Sequence, residues 1–211
     1  MKLYEDKISS AVARVRIAMA LKKVTAESEI VPIVGDRVQT GTPEYRGTNP
    51  QGLVPALATD RGDLITQSLA IIEYLEECHP APSLLPNDPV TRAHARAIAL
   101  AITAEIHALV PPRISAKLLS FPGITPAHVA DWKEHWITHG LSAVEALLKP
   151  YDGCRYAVAE TPTIADIFLY PQAINAERAG IKIRQWPRVA RIVGQLNEIP
   201  AFLENAPLPL T

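Results

Sequence analysis

Two adjacent serines, Ser9 and Ser10, stand where a short strand pattern ends and a helical pattern begins. Serine is a favoured N-cap, because its side-chain oxygen accepts a hydrogen bond from a backbone amide of the first helical turn. The same helix end carries a positive partial charge, which would lower the pKa of a thiol placed there. A hydroxyl aimed at that sulfur would add one more hydrogen bond. The two serines are therefore interpreted either as an ordinary cap or as donors to a thiolate.

A second candidate is the segment "NPQGLVPAL", residues 49 to 57, in which Pro55 opens a strand after Val54. Proline is tolerated at such an edge position. A cis peptide bond here would turn the backbone groups of Val54 outward, where they could pair with an extended peptide. A trans bond at a plain strand start is an equally good interpretation of the residues.

The third candidate is the start of "ITQSLAIIEYLEE", residues 65 to 77. Ser68 is predicted to cap this helix, with Gln67 before it. A helix start also suits a carboxylate, because its backbone N–H groups point at the ligand. A simple cap and an anion site are both compatible with these residues.

The elements that carry these candidates alternate between strand and helix. Residues 2–4 read as a strand, 11–23 as a helix, 28–34 as a strand, and 54–58 with 64–67 as a hairpin turning at Gly62, before the helix that starts at Ser68. In the first helix, Val12, Val15 and Met19 are expected to face the core, and the basic residues are expected to reach solvent: Arg14, Arg16, Lys22 and Lys23. A βαβ unit followed by a ββα unit predicts an α/β, thioredoxin-like domain.

The proline-rich stretch "HPAPSLLPNDP" follows this domain, and no strand pattern follows the stretch. Proline lacks an amide donor and restricts the residue before it, so the stretch predicts a linker. The predicted domains are therefore residues 1–80 and an all-helical domain at 89–211, joined by a linker at 81–88. Helical patterns cover residues 90–110, 126–148 and 188–197 and a segment that Thr163 and Asp166 would cap and Gly180 would end. The second of these patterns places apolar residues on a core face: Trp132, Trp136, Leu141, Val144 and Leu148.

Composition excludes several classes of function. The 211 residues carry a formal charge of −1, and the basic residues form no stripe, so no nucleic-acid partner is expected. No apolar run approaches the roughly 20 residues of a membrane helix, and the first residues lack a signal-peptide core. Cys78 and Cys154 are expected to be free thiols in the cytoplasm, and the histidines form no metal-ligand motif.

Taken together, the order and spacing of these signals resemble the glutathione transferase superfamily, and its zeta class most closely. That class includes the maleylacetoacetate and maleylpyruvate isomerases. The resemblance covers essentially the whole chain and rests on "SS…RVRIA", "NPQGLVPAL", "QSLAIIEYLEE", "LLPNDP" and "TPTIAD…PQ…NAER".

The resemblance implies that glutathione is the cofactor and assigns a role to each matching residue. Ser9 would donate to the glutathione sulfur, and Ser10 would contribute to the same site. Val54, before the family's cis proline Pro55, would bond the cysteinyl backbone. Gln67 and Ser68 would hold the γ-glutamyl end. Three residues of the helical domain would contact the substrate: His107, Arg113 and Arg178. The family commonly forms homodimers, so a homodimer is expected.

Three departures from the zeta pattern bear on the reaction. The family's Ser-Ser-Cys-Ser run ends here in Ala11 and Val12, and Ile8 stands where isomerases tend to carry an arginine. These three residues would make the mouth of the site more apolar and remove a bidentate carboxylate partner. Pro111 and Pro112 replace polar residues found in some relatives.

The predicted function is therefore a zeta-like glutathione transferase, in which glutathione is held as a thiolate and adds to a small electrophile. One alternative is a glutathione-dependent cis–trans isomerase of maleylacetoacetate or maleylpyruvate. Arg178, His107 and Arg113 favour this alternative, and Ile8, Ala11 and Val12 disfavour it. The other alternative is a non-catalytic interaction module with the same fold.

Overall fold

The structure is a computed structural model, and it describes residues 1–35 and 38–209. The chain divides into two compact units. The first comprises Met1–Leu84 together with the segment from Glu204, and the second comprises Leu85–Leu203.

The first unit is built on a four-stranded sheet in the order β2-β1-β3-β4. Strands β1 and β2 pair in parallel, whereas β3 runs antiparallel to both β1 and β4. This mixed sheet confirms the predicted thioredoxin-like succession of a βαβ and a ββα unit. The elements in chain order are β1 (Lys2–Glu5), α1 (Ser10–Lys22), β2 (Glu27–Ile30), α2 (Pro43–Thr48), β3 (Ala56–Ala58), β4 (Leu64–Thr66) and α3 (Ser68–Cys78).

Helix α1 is the buried centre of this unit. Apolar residues occupy nearly its whole circumference, which is typical of a helix covered on all sides, and α1 packs against α3. The expectation that its basic residues reach solvent is wrong for Arg14, which is fully buried, and for Lys22, whose side chain is also fully buried. Lys22 remains paired because its Nζ lies 2.6 Å from Glu76 Oε2 and donates to the carbonyl oxygens of His79 and Pro82.

The first unit is completed by a segment from the far end of the sequence. The backbone N–H of Leu208 donates to the carbonyl oxygen of Lys7 at 2.8 Å. Asn205 Oδ1 accepts from Arg16 Nε at 3.1 Å, and Arg16 in turn lies 3.4 Å from Glu5. Residues separated by almost 190 positions therefore share one packed unit.

In the described part of the chain, the second unit contains helices and no strand, as the sequence predicts. Helix α7 is its core element, and α4 packs against both α7 and α6. Pro112 begins a helix that the sequence pattern did not predict. The helices are α4 (Pro89–Glu105), α5 (Pro112–Leu119), α6 (Pro126–Leu147), α7 (Ile164–Arg178), α8 (Pro187–Leu196) and α9 (Pro200–Leu203), with 3₁₀ turns at His107–Leu109, Lys149–Tyr151 and Ile183–Gln185.

Proline explains several helix starts. Five of these six helices begin at a proline, whose missing N–H and fixed φ suit the first helical position. Helix α7 instead has the predicted capping box. Asp166 Oδ2 accepts from the backbone N–H of Thr163 at 2.8 Å, and Asp166 Oδ1 accepts from that of Ala157 at 2.9 Å.

Two expectations about apolar residues in the second unit need correction. Trp132 and Trp136 are half-buried rather than core residues, and Trp132 Nε1 donates to the Leu109 carbonyl at 2.8 Å. The expectation that no apolar run approaches the length of a membrane helix is also wrong, because Pro89–Leu119 is long and apolar enough by composition to resemble a membrane span. Here it is divided into α4 and α5, and α4 buries Ile98 and Ile102 within the unit's own core.

Candidate active site

Ser9 is the N-cap of α1, as one of the two interpretations required. Its backbone is extended, with φ −75° and ψ 121°, and its Oγ accepts a hydrogen bond from the Val12 backbone N–H at 3.3 Å. Because that bond uses an oxygen lone pair, the hydroxyl hydrogen of Ser9 can still be donated to another group. Ser9 is 8% exposed and Ser10 is 4% exposed, so the helix start is largely shielded from bulk water.

The neighbouring departures from the family pattern have unequal effects. Val12 is completely buried and Ala11 is 8% exposed, whereas Ile8 is half-buried. The expectation that all three make the mouth of the site more apolar is therefore wrong for Val12, which packs in the core of the first unit. The physical reason is that α1 is covered on nearly every side.

The bond between Val54 and Pro55 is cis. The β1–β3 ladder begins with Tyr4 paired to Ala56, so Val54 lies just before the paired residues. Two side chains brace the residue before it, because Tyr45 Oη donates to the Leu53 carbonyl at 2.9 Å and Asn49 Nδ2 donates to it at 2.7 Å. Sequence reasoning missed both of these supports, although Asn49 opens the quoted motif. In the structure Asn49 is buried, with 1% of its surface exposed.

Helix α3 begins differently from the prediction. Ser68 does not cap it; Ser68 is its first residue, and the N-cap is Gln67, which has a left-handed φ of 71° and makes no side-chain cap hydrogen bond. The Gln67 side chain points instead to Gln51, with Nε2 donating to Oε1 at 3.0 Å. A helix start without a side-chain cap keeps its first backbone N–H groups available to an anion.

Beneath this helix start lies a residue that sequence reasoning assigned to solvent. Arg14 Nη1 donates to Ser68 Oγ at 3.5 Å, and the guanidinium is fully buried. Burial lowers the pKa of Arg14 to about 9, so the group remains a cation at neutral pH. The sequence signal that could have placed Arg14 near the site is its spacing, since Arg14 follows Ser10 by one helical turn and shares a face with it.

The three predicted substrate residues lie in the second unit. His107 opens the 3₁₀ turn after α4 and is half-buried, and Arg113 is an exposed residue in the first turn of α5. Arg178 is the last residue of α7 and is half-buried, and this burial lowers the pKa of its guanidinium. The two prolines that depart from the family pattern have a local structural role, since Pro111 is the N-cap of α5 and Pro112 is its first residue.

Comparison with known proteins identifies the family of the chain. Residues 3–83 match the family model described as the glutathione S-transferase N-terminal domain. The chain is 41% identical over 207 residues to the maleylacetoacetate isomerase of Pseudomonas aeruginosa, covering 98% of this chain and 96% of that protein.

Two solved structures are similar over almost the whole chain. One is a maleylpyruvate isomerase described as a bacterial zeta-class glutathione S-transferase, with TM-score 0.91, 37% identity, and coverage of 98% of this chain and 97% of that one. The other is a maleylacetoacetate isomerase from Methylobacterium extorquens AM1 with bound malonate and glutathione, with TM-score 0.93, 31% identity, and coverage of 100% and 98%. The chain therefore belongs to the glutathione transferase superfamily, within the zeta-class group that includes the maleylacetoacetate and maleylpyruvate isomerases.

Proposed function

We propose that this protein is a glutathione-dependent cis–trans isomerase acting on a maleyl-substituted oxo acid such as maleylacetoacetate or maleylpyruvate. The observation that carries the proposal is the Ser9 cap. Its oxygen is held by the Val12 N–H, so its hydrogen is available at the positive end of α1 for a thiolate.

The residues of the first unit fit glutathione as three separate groups. A thiolate suits the hydroxyl of Ser9 and the start of α1. The cysteinyl backbone suits the backbone of Val54, which lies beside the sheet but before its paired residues. The γ-glutamyl carboxylate suits Gln67 and Ser68, where α3 has no side-chain cap. When bound, glutathione supplies a sulfur that adds reversibly to a conjugated double bond and so allows rotation about that bond.

The protein's own residues would control the charges during this chemistry. Ser9 donates to the sulfur whenever the sulfur is anionic, and the positive end of α1 favours that state. Ser10, buried in the same turn, keeps water from the helix start. A guanidinium matches a carboxylate through two parallel hydrogen bonds, and we assign this role toward the dicarboxylic substrate to Arg178. His107 and Arg113 complete the proposed substrate contacts.

The bound ligands of a relative support this assignment. The Methylobacterium enzyme is described with glutathione and malonate, which is a small dicarboxylate. Conjugation of glutathione to an uncharged electrophile is the second candidate function. Ile8 favours it, because a half-buried isoleucine offers a carboxylate no hydrogen bond.

The decisive experiment is isomerase turnover of maleylpyruvate by wild type, Ser9→Ala and Ser10→Ala. The Ser9→Ala enzyme should show a raised pKa for bound glutathione and a fall in kcat of about 10²-fold, since one hydrogen bond to a charged group is removed. Ser10→Ala should lose less. Equal kcat values for wild type and Ser9→Ala would contradict the role of Ser9.

A non-catalytic module makes a different prediction. Such a protein would show no retention on immobilised glutathione and no thermal shift at millimolar glutathione. A glutathione-dependent enzyme should be retained and then eluted by free glutathione. Turnover of 1-chloro-2,4-dinitrobenzene without turnover of maleylpyruvate would favour the conjugating function over the isomerase.

We also propose a homodimer in the cytoplasm. The family resemblance supports the dimer, as do Val90 and Leu100, two apolar residues of α4 that the single chain leaves 64% and 48% exposed. The free thiols Cys78 and Cys154 are consistent with a reducing compartment. Light scattering should give twice the 23.0 kDa chain mass, and fractionation of the source cells should place the protein in the cytosol.

A further inference from the structure

Arg14 and Ser68 are linked inside the first unit. Arg14 belongs to α1 and is fully buried, and Ser68 begins α3 and is 4% exposed. The 3.5 Å separation of Nη1 and Oγ is that of a long hydrogen bond. A cationic side chain therefore lies directly under the helix start to which the proposed function assigns a carboxylate.

The chemistry of the two groups fixes the direction of this hydrogen bond. A guanidinium has five N–H donors and no acceptor, so Ser68 Oγ must accept from it. The Ser68 hydroxyl hydrogen is then turned away from Arg14 and can be donated to a ligand. If Ser68 instead faced an acceptor such as a backbone carbonyl, its hydroxyl hydrogen would point toward that acceptor and would not be available to a ligand.

The charge of Arg14 acts in the same direction as this hydrogen bond. The start of a helix carries roughly half a positive charge, and a buried cation is screened less than an exposed one. Both contributions favour an anion at Gln67 and Ser68, and the side chain of Arg14 does not itself have to reach that anion.

We infer that Arg14 is a positioning residue for carboxylate binding at the start of α3: it orients the Ser68 hydroxyl as a donor and adds positive potential beneath it. This inference rests on the proposed function, because the carboxylate in question is that of the γ-glutamyl end of glutathione. Arg14 acts through Ser68 and lies outside the reacting atoms.

The experiment is a double-mutant cycle read by calorimetric titration. Arg14→Gln, which retains an N–H donor without the charge, Ser68→Ala and the double variant are titrated with glutathione. They are also titrated with 4-aminobutyryl-cysteinyl-glycine, the analogue that lacks the γ-glutamyl α-carboxylate. Arg14→Gln should weaken glutathione about tenfold and change the analogue's affinity by less than about twofold. The effect of Arg14→Gln should shrink to about threefold in the Ser68→Ala background, because contacting residues couple.

Kinetics provide a second readout that a purely structural role would not move. The KM for glutathione should rise in Arg14→Gln while kcat at saturating glutathione stays within about twofold of wild type. Arg14→Lys keeps the charge and should recover part of the lost affinity. Equal losses for glutathione and for the analogue, or additive effects in the cycle, would overturn the inference.

The wild-type protein gives a test if the Arg14 variants fail to fold. The arginine side-chain ¹⁵N resonance that moves in Ser68→Ala identifies Arg14, and it should shift on addition of glutathione but not of the analogue. The same response to both ligands would count against Arg14. If wild type binds no glutathione, the proposed function fails and this inference fails with it, whereas glutathione binding with an additive cycle overturns the assignment of Arg14 alone.

Discussion

The ammonium group of Lys22 lies 2.6 Å from the carboxylate of Glu76 and joins the end of α1 to the end of α3. Glu76 also accepts from Ser83 Oγ at 2.6 Å and from the Leu84 backbone N–H at 3.0 Å. The pair therefore fastens the last residues of the first unit to its two helices. Burial alone would raise the pKa of Glu76, but the hydrogen bonds from Lys22, Ser83 and Leu84 outweigh it and hold the pKa below its ordinary value.

Replacing Lys22 should destabilise the first unit strongly. Lys22→Met leaves the Glu76 carboxylate without its cation and two carbonyls without a donor, so we expect a loss of about 3 kcal/mol in the free energy of unfolding. Urea denaturation measures it. Lys7→Met, which changes an exposed lysine, should stay within about 0.5 kcal/mol of wild type. A loss below about 1 kcal/mol for Lys22→Met would show that the pair contributes little.

Asp166 should give the protein a pH-dependent stability of its own. Burial raises the pKa of Asp166 to about 6 despite its hydrogen bonds from Thr163 and Ala157. A group whose pKa is raised by folding contributes stability below its unfolded-state pKa and loses it as pH rises through the folded value. The difference between the unfolded-state and folded-state pKa of Asp166 corresponds to about 3 kcal/mol of folding stability, which is lost between roughly pH 4 and pH 6.

The matched variant is Asp166→Asn, which cannot ionise. Its stability should be lower throughout, because an amide cannot accept all the bonds that the carboxyl group accepts. The measurement is the free energy of unfolding from pH 3.5 to 7.5, taken as wild type minus variant. That difference should fall as pH rises through this window, and a flat difference would contradict the raised pKa.

Gly140 should be intolerant of a side chain. A Cβ at this position in α6 would overlap Cγ1 and Cδ1 of Ile106, which is completely buried just after α4. Gly140→Ala should therefore cost about 1–3 kcal/mol, although alanine is the better helix former. Gly194→Ala, in α8 with open space around it, is the control and should be neutral or stabilising by up to about 1 kcal/mol.

The same clash can be checked by compensation. In an Ile106→Ala background the overlap is removed, so Gly140→Ala should then cost much less than in wild type. Additive losses in that double variant would place the cause outside the Gly140–Ile106 contact.

Replacing Arg178 should impair turnover of the substrate without changing the KM for glutathione. Arg178→Ala is expected to lower kcat/KM for maleylpyruvate by about 10²-fold, since it removes a charge-assisted pair of hydrogen bonds. The KM for glutathione should stay unchanged. Arg184→Ala, an exposed arginine in the following 3₁₀ turn, should retain wild-type kinetics. Unchanged turnover in Arg178→Ala would remove this residue from the proposed site.

The pattern of the sequence was sufficient to predict the elements around the candidate site. Ser9 lies at the change from strand to helix, and Thr163 with Asp166 forms a local capping box, so neighbouring residues alone specify both features. The start of α3 was harder to predict, because the left-handed φ of Gln67 shifts the cap one residue before Ser68. Backbone torsions of this kind depend on surroundings that periodicity does not report.

The burial of charged residues was the other point that the pattern could not predict. Arg14 and Lys22 belong to a helix whose basic residues suggested a solvated face. Their partners are Ser68 at one end of α3 and Glu76 near its other end, 54 positions along the chain in each case. Such pairings follow from tertiary packing, which overrides a preference read from a single helix.

The return of the segment from Glu204 to the first unit has a consequence for synthesis. Residues 1–84 leave the ribosome long before this segment exists, and domains commonly begin to fold during synthesis. During that interval the Lys7 carbonyl and the Arg16 side chain lack Leu208 and Asn205, so the nascent first unit must wait for a distant part of its own chain. Its final closure therefore follows the synthesis of the second unit, although residues 1–84 are made before that unit.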